Sequence, residues 1–304
     1  MPPISGHNFN LSNDYILSLL SKIEALIKNA QSSKRFRASA FIIAILIFFG
    51  GLALCIGSSP DIFSKINYGP FLLLLLVGVP LTLVFNTLDV VYSAELADKR
   101  FAFLEAFKIS IFSTAANMLP LPGGAVIRVA ALRQAGVGLG EGTRVTLATG
   151  FIWLGVSLIF SSAWIAAYMP SLAVLSGLAG SLIFIIGVIA ANTKFQKNTV
   201  ILKIISLKLA ATLLVTFRLM LSLYALGQII PFSKAAVMSA ADVIGSAVMI
   251  VPAGLGVNEA VSAVLGQAVG LTAATGFLAA VINRLSVLIA ICPVTIYLYF
   301  KKPA

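Results

Sequence analysis

The chain has 304 residues, of which 60% are hydrophobic and only 10% charged, against about 25% charged in an ordinary globular protein. That balance excludes a soluble fold, a disordered chain, collagen and a coiled coil, and leaves the bilayer as the solvent. The net charge of +11 is therefore read first as topology, because membrane proteins gather Lys and Arg in cytoplasmic loops, and not as a nucleic-acid footprint.

Residues 1–10 are polar and lack the basic stretch and apolar core of a cleaved signal peptide. Over residues 12–31, Ile16, Leu19, Leu20, Ile23, Leu26 and Ile27 recur at three and four with Lys22, Glu24 and Lys28 between them. This spacing predicts an amphipathic helix capped by Ser12 or Asn13, lying on the cytoplasmic membrane surface or packed on the rest of the protein. After Lys34, Arg35 and Arg37, residues 38–57 form an apolar run of about twenty residues, the length that crosses ~30 Å of hydrocarbon. Five further runs are long enough: residues 69–91, 145–168, 172–191, 209–227 and 272–300. The expected organisation is a cytoplasmic tail with its interfacial helix over 1–37 and a polytopic membrane domain over 38–302.

Two apolar stretches do not fit a full span. Residues 107–119 and 125–137 are joined by Leu-Pro-Leu-Pro-Gly-Gly, containing Pro120, Pro122, Gly123 and Gly124; residues 235–251 and 257–269 are joined by Pro252, Ala253, Gly254, Leu255 and Gly256. Each arm is too short to cross, and Pro-Gly tips break a helix, so each pair is predicted to be a re-entrant helical hairpin. Irregular backbone at that depth needs protein or a water-filled cavity around it, which puts the tips inside the protein. With the N-terminus inside, six spans and two hairpins leave Lys22, Lys28, Lys34, Arg35, Arg37, Lys99, Arg100, Lys108, Lys194, Lys197, Lys203, Lys208, Lys301 and Lys302 in the cytoplasm, and only Lys65 and Lys234 outside. That asymmetry favours cytoplasmic termini. The hairpins then enter from opposite sides, which predicts an inverted repeat with halves at about 69–168 and 209–300. Short matches in common order support a duplication: Pro122 to Gly124 with Pro252 to Gly254, Gly138-Leu139 with Gly270-Leu271, and Ala-Thr-Gly-Phe at 148–151 and 274–277.

Catalysis finds few residues to work with. Cys55 and Cys292 sit in apolar runs, and His7, the only histidine, is in the polar tail, so no disulfide framework, zinc site or His-dependent nucleophile emerges. No phosphate-binding Gly-rich loop or Asp-x-Asp motif is present, and no cofactor or metal is expected. Attention moves to ionisable residues in apolar segments, each costing about 2.5–3.5 kcal/mol at the bilayer centre on insertion scales. Arg218 and Arg284 lie near the middles of their spans, where they contact a lipid phosphate or pair internally with Asp242 or Glu259. Glu259 follows the second tip within the first helical turn, beside Asn258, where a carboxylate suits the dipole or caps the helix. Asp242, in the preceding arm, has no capping role. Arg128 follows the first tip and opposes the helix dipole, which favours anion binding. Asn117, just before that tip, satisfies freed backbone groups or contacts substrate. Arg133 and Arg144 are read as interface residues.

The stretches 117–133 and 251–260, with Arg284 downstream, resemble the two hallmark regions of the lysylphosphatidylglycerol synthase transmembrane, or flippase-like, family over roughly residues 70–300. Pro252, Gly254, Gly256, Glu259 and Arg284 are in register with it; Ala125 stands where the family has Glu, and Gly150 to Gly155 replace a Glu-Arg and an Asp. The resemblance implies an all-α protein of the bacterial or archaeal inner membrane that moves a polar, aminoacylated or glycosylated lipid across it. Arg128, Arg218 and Arg284 would hold the phosphate, with Asp242 and Glu259 balancing charge or taking an amine. No segment is long enough for a synthase domain, so a lipid-modifying enzyme would be encoded separately. No ATPase motif is present, so transport would be passive, ion-coupled or driven by a partner. The alternatives are a membrane-embedded transferase acting on a lipid-linked substrate and a non-transporting lipid-binding partner of a synthase.

Overall fold

The computed structural model describes residues 34–58, 66–117, 123–195, 197–247 and 254–300, and every regular element among them is a helix. The predicted amphipathic helix over 12–31 and the tip prolines Pro120, Pro122 and Pro252 lie outside the described residues. In chain order the helices are α1 (Lys34–Ser58), α2 (Tyr68–Leu96), α3 (Phe103–Ala116), α4 (Gly123–Gln134), α5 (Leu139–Ile165), α6 (Pro170–Phe195), α7 (Asn198–Ala225), α8 (Phe232–Met238), α9 (Ala240–Ala247), α10 (Val257–Ala268) and α11 (Ala273–Phe300). Five of them, α2, α5, α6, α7 and α11, are long and apolar enough to cross a membrane, while α1 carries a shorter apolar stretch at Ile45–Gly57. The chain is an all-α membrane protein.

Burial follows lipid physics. On α6, Leu175, Leu178, Leu182, Ile185 and Ile189 recur at three and four and are all more than half exposed, an apolar stripe turned outward as a hydrocarbon solvent permits. The opposite face packs on α5 through glycines. A Cβ on Gly155 would come 2.6 Å from the Phe184 backbone nitrogen, and one on Gly187 2.8 Å from that of Ile152. Small residues are what let two helices approach this closely where no hydrophobic force drives them together.

Observed helices overrun several predicted boundaries, with chemical reasons. The helix expected to begin at residue 209 begins at Asn198. Lys197 donates to the Glu95 carbonyl at 2.7 Å and pairs with Asp98, and Lys203 lies 3.1 Å from the Glu95 carboxylate. The basic residues thus bind the end of α2 and let α7 continue. One consequence corrects the loop assignment: Lys208 is a buried helical residue.

The segments α2 to α5 and α7 to α11 share local geometry. Helix α2 ends with Asp98 at φ 58°, and Lys99 N–H returns to Ala94 O at 2.9 Å; α7 ends with Gly227 at φ 73°, and Gln228 N–H returns to Leu223 O at 2.9 Å. These are left-handed C-terminal caps. Next, α3 opens at Phe103 and α8 at Phe232, each after an extended residue. In this register Thr87 matches Thr216, Ser93 matches Ser222 and Ser110 matches Ser239, all six buried. Downstream, α4 and α10 both have 12 residues and end with Gly136 at φ 82° and Gly270 at φ 86°. In each segment the next helix then places a glycine against its predecessor, in ordinary contact in the first and in close approach in the second. A Cβ on Gly142 would lie 3.5 Å from Leu132 Cβ, and one on Gly276 2.4 Å from Ser262 O. Two of the sequence matches are therefore out of register. Gly270 corresponds to Gly136 and not to Gly138, and Gly276 to Gly142 and not to Gly150, whose added Cβ would meet nothing within 4 Å.

Candidate functional site

Helices α2 and α7 run antiparallel. Asn67 N–H donates to Ala225 O at 2.8 Å near one end, and Lys208 reaches Asp89 farther along. The candidate site consists of two polar clusters on either side of this pair. In the first, Asp89 of α2 takes Arg128 Nη1 of α4 at 2.5 Å on one carboxylate oxygen and Lys208 Nζ of α7 at 2.6 Å on the other. The Asp89 side chain is 4% exposed, Lys208 10% and Arg128 23%, so Arg128 is the member that reaches an open surface. One carboxylate serving two cations leaves the trio with a surplus positive charge.

The second cluster is longer. Arg218 of α7 donates from Nη2 to Asn283 Oδ1 of α11 at 2.7 Å and from Nη1 to Thr82 Oγ1 of α2 at 3.1 Å. A Cβ on Gly78 would sit 3.0 Å from Arg218 Cγ, and Gly78 closes a π-helical turn spanning Leu74–Gly78; such bulges accumulate at functional sites. Asn283 Nδ2 points to Asp242 Oδ2 of α9 at 3.5 Å, and Asn258 Nδ2 of α10 donates to Asp242 Oδ1 at 2.5 Å. On the same helix, Glu259 is fully buried: Oε1 accepts from Arg284 Nε at 2.6 Å and Oε2 from Gly256 N–H at 2.7 Å. Two arginines and two carboxylates make this cluster neutral.

The helix openings are built from glycine and one asparagine. Asn117 Oδ1 accepts from Gly124 N–H at 2.8 Å and joins the two arms of the first pair. A Cβ on Gly123 would meet Ala116 O at 2.2 Å, and one on Gly254, at φ 65°, would meet Gly245 O at 2.5 Å. Gly256, at φ 76°, forms the N-cap of α10. Only glycine fits these close approaches and left-handed positions without strain.

Of the expected site residues, Arg218, Asp242 and Asn258 are linked through Asn283, and Glu259 is bonded to Arg284. Arg128 belongs to the other cluster, and Asn117 serves the backbone of its own turn. Sequence reasoning overlooked Asp89, Lys208, Thr82 and Asn283. Asp89 had a usable signal, since an acid inside an apolar span is a functional candidate by default; Lys208 was hidden by a span assumed to start one residue after it. Among the described residues, no three His, Cys, Asp or Glu side chains gather as a metal site. No protein-family model matches the chain, and no curated protein matches it in sequence.

Proposed function

We propose that the protein is a flippase-like translocator of a polar lipid, anionic, aminoacylated or glycosylated, in a bacterial or archaeal inner membrane. In this reading α3–α4 and α8–α10 are re-entrant hairpins, α1 completes six spans, and the two halves form an inverted repeat. The matched caps, the equal lengths of α4 and α10 and the antiparallel pairing of α2 with α7 support that arrangement. The observation that carries the function is the pair of ionic clusters. Asp89, Arg128, Lys208, Arg218, Asp242, Glu259 and Arg284 are held inside apolar helices, one cluster beside each helix–break–helix unit. Charges so costly to bury mark a pathway for a polar group, and broken helices in inverted repeats set such a pathway near the bilayer midplane. The headgroup would pass from one cluster to the other while the acyl chains stay in lipid beside the exposed helix faces. A lipid-modifying enzyme would supply the cargo.

The test is reconstitution of the full chain into liposomes carrying fluorescent phospholipids, with quencher added outside. The wild-type protein should expose the inner-leaflet probe faster than protein-free liposomes and faster than Arg284→Ala. Equal rates in all three would reject translocation of those lipids.

A further inference from the structure

We infer that the Asp89–Arg128–Lys208 cluster is a binding site for one phosphodiester anion of a lipid headgroup, with Asp89 as the internal counter-ion that shares its cations with the ligand. This rests on the lipid-translocation reading for the source of the anion, and it narrows that reading to one of the two clusters. Arg218 donates to Asn283 and Thr82 within a cluster whose two arginines are balanced by Asp242 and Glu259. No charge is left over there for a ligand. In the first cluster, Asp89 meets Arg128 with one oxygen and Lys208 with the other, and nothing else among the described residues balances the second cation. An apolar interior does not leave a surplus charge unmatched without large cost, so an anion completes the set.

The surroundings suit a phosphate. Arg128 offers a guanidinium at the most exposed edge of the cluster, and a planar fork of N–H donors matches two phosphate oxygens. It sits in the second turn of α4, close to the positive end of that helix dipole, which disfavours an arginine and favours an anion on it. Ser93, one turn beyond Asp89 on α2, has a buried hydroxyl without a hydrogen-bond partner, and so do Ser110 and Ser113 on α3, which packs against α2. Their equivalents in the other half differ: Ser222 donates to Arg218 O, and Ser239 bonds Ala236 O and Thr216. Spare hydroxyl donors therefore collect in the half that carries the spare positive charge.

Charge count gives a test that structural damage does not imitate. The wild-type trio carries +1, Lys208→Met makes it neutral, Asp89→Asn makes it +2, and the double variant returns it to +1. The purified full-length chain is titrated in mixed micelles with phosphatidylglycerol, with a phosphate-free diglycosyl diacylglycerol and with inorganic phosphate. Ligand-dependent protection against thermal unfolding is read within each variant, so that a change in basal stability cancels. Phosphatidylglycerol should protect the wild type, about tenfold more weakly Lys208→Met and more tightly Asp89→Asn, as expected when one charge-assisted hydrogen bond to the ligand is removed or one cation is freed to make it. The double variant should recover most of the binding that Lys208→Met forfeits. Equal protection across all four, or protection by the phosphate-free lipid alone, overturns the site; protection by inorganic phosphate but not by phosphatidylglycerol overturns its lipid occupant. Charge-ordered binding without flipping would sink translocation and keep the site, whereas flipping without charge order would do the reverse.

Discussion

Glu259 and Arg284 should behave as one unit. Glu259 is fully buried, with one oxygen 2.6 Å from Arg284 Nε and the other 2.7 Å from the Gly256 amide. Glu259→Gln keeps the shape and one acceptor but removes the charge that faces the 14%-exposed Arg284 side chain, a loss of about 3–5 kcal/mol for a broken buried pair. Arg284→Met strands the carboxylate instead. Its bond from the Gly256 amide survives, and a hydrogen bond to a charged group contributes about 1.5–3 kcal/mol, so this variant should fall at the lower end of the same range. The double variant removes both charges and should cost only about 1–2 kcal/mol, far from the sum of the singles, because no charge of the pair is then stranded. Stability is measured by denaturant titration of the protein in nanodiscs, with all four members of the cycle under one condition. Additive losses, or single variants within about 0.5 kcal/mol of wild type, would refute the pair as a buried unit.

Gly276→Ala should destabilise by about 1–3 kcal/mol through overpacking, since its Cβ would come 2.4 Å from Ser262 O, while Gly150→Ala, which meets nothing within 4 Å, should be neutral or stabilise by up to about 1 kcal/mol from helix propensity; thermal unfolding of the two variants side by side decides, and equal effects would dissolve the register in which Gly276 matches Gly142. Gly187→Ala, aimed at the Ile152 backbone 2.8 Å away, should weaken the α5–α6 contact by a similar amount and lower the unfolding temperature. Asn117→Ala removes the acceptor for Gly124 N–H and should cost about 1–2 kcal/mol; faster hydrogen exchange confined to α3 and α4 would report it, and unchanged exchange there would show that the turn does not depend on Asn117.

The all-helical membrane class was legible because it depends on the lengths of apolar runs, and α2, α5, α6, α7 and α11 follow them directly. Boundaries were less legible where charged residues enter a helix with partners far away in sequence. Lys203 and Lys208 look like loop residues until Glu95 and Asp89, more than a hundred residues earlier, are placed beside them. Local signals pick out Glu259, because a cap is a short-range feature, and Gly256, as part of a Pro-Gly helix break, while Arg284 stands out by its depth and by the family resemblance. Asn283 is silent in the sequence, since an amide within an apolar run carries no signal until Arg218 and Asp242 flank it.

In the register defined by the caps, the segments α2–α5 and α7–α11 carry different charges at matching positions. Glu259 is the third residue of α10 and Arg284 the twelfth of α11; the same positions in α4 and α5 hold Ala125 and Gly150. Both members of the pair are absent together from the first half, which is the pattern that buried ion pairs require, because losing only one leaves a charge with no partner. Asp89 then stands at the position matching Arg218, one turn before matched serines Ser93 and Ser222, so the central helices of the two halves carry opposite charges at equivalent points. The Asp89 end nevertheless carries the surplus positive charge, because Arg128 and Lys208 flank the acid, while the Arg218 end is balanced by its own carboxylates. Under the lipid-translocation proposal, exchanging the charges, as Asp89→Arg with Arg218→Asp, gathers three cations at one end and unbalanced carboxylates at the other, and should impair flipping even in a folded protein. Normal flipping by a folded exchange variant would show that the handedness of this arrangement carries no function.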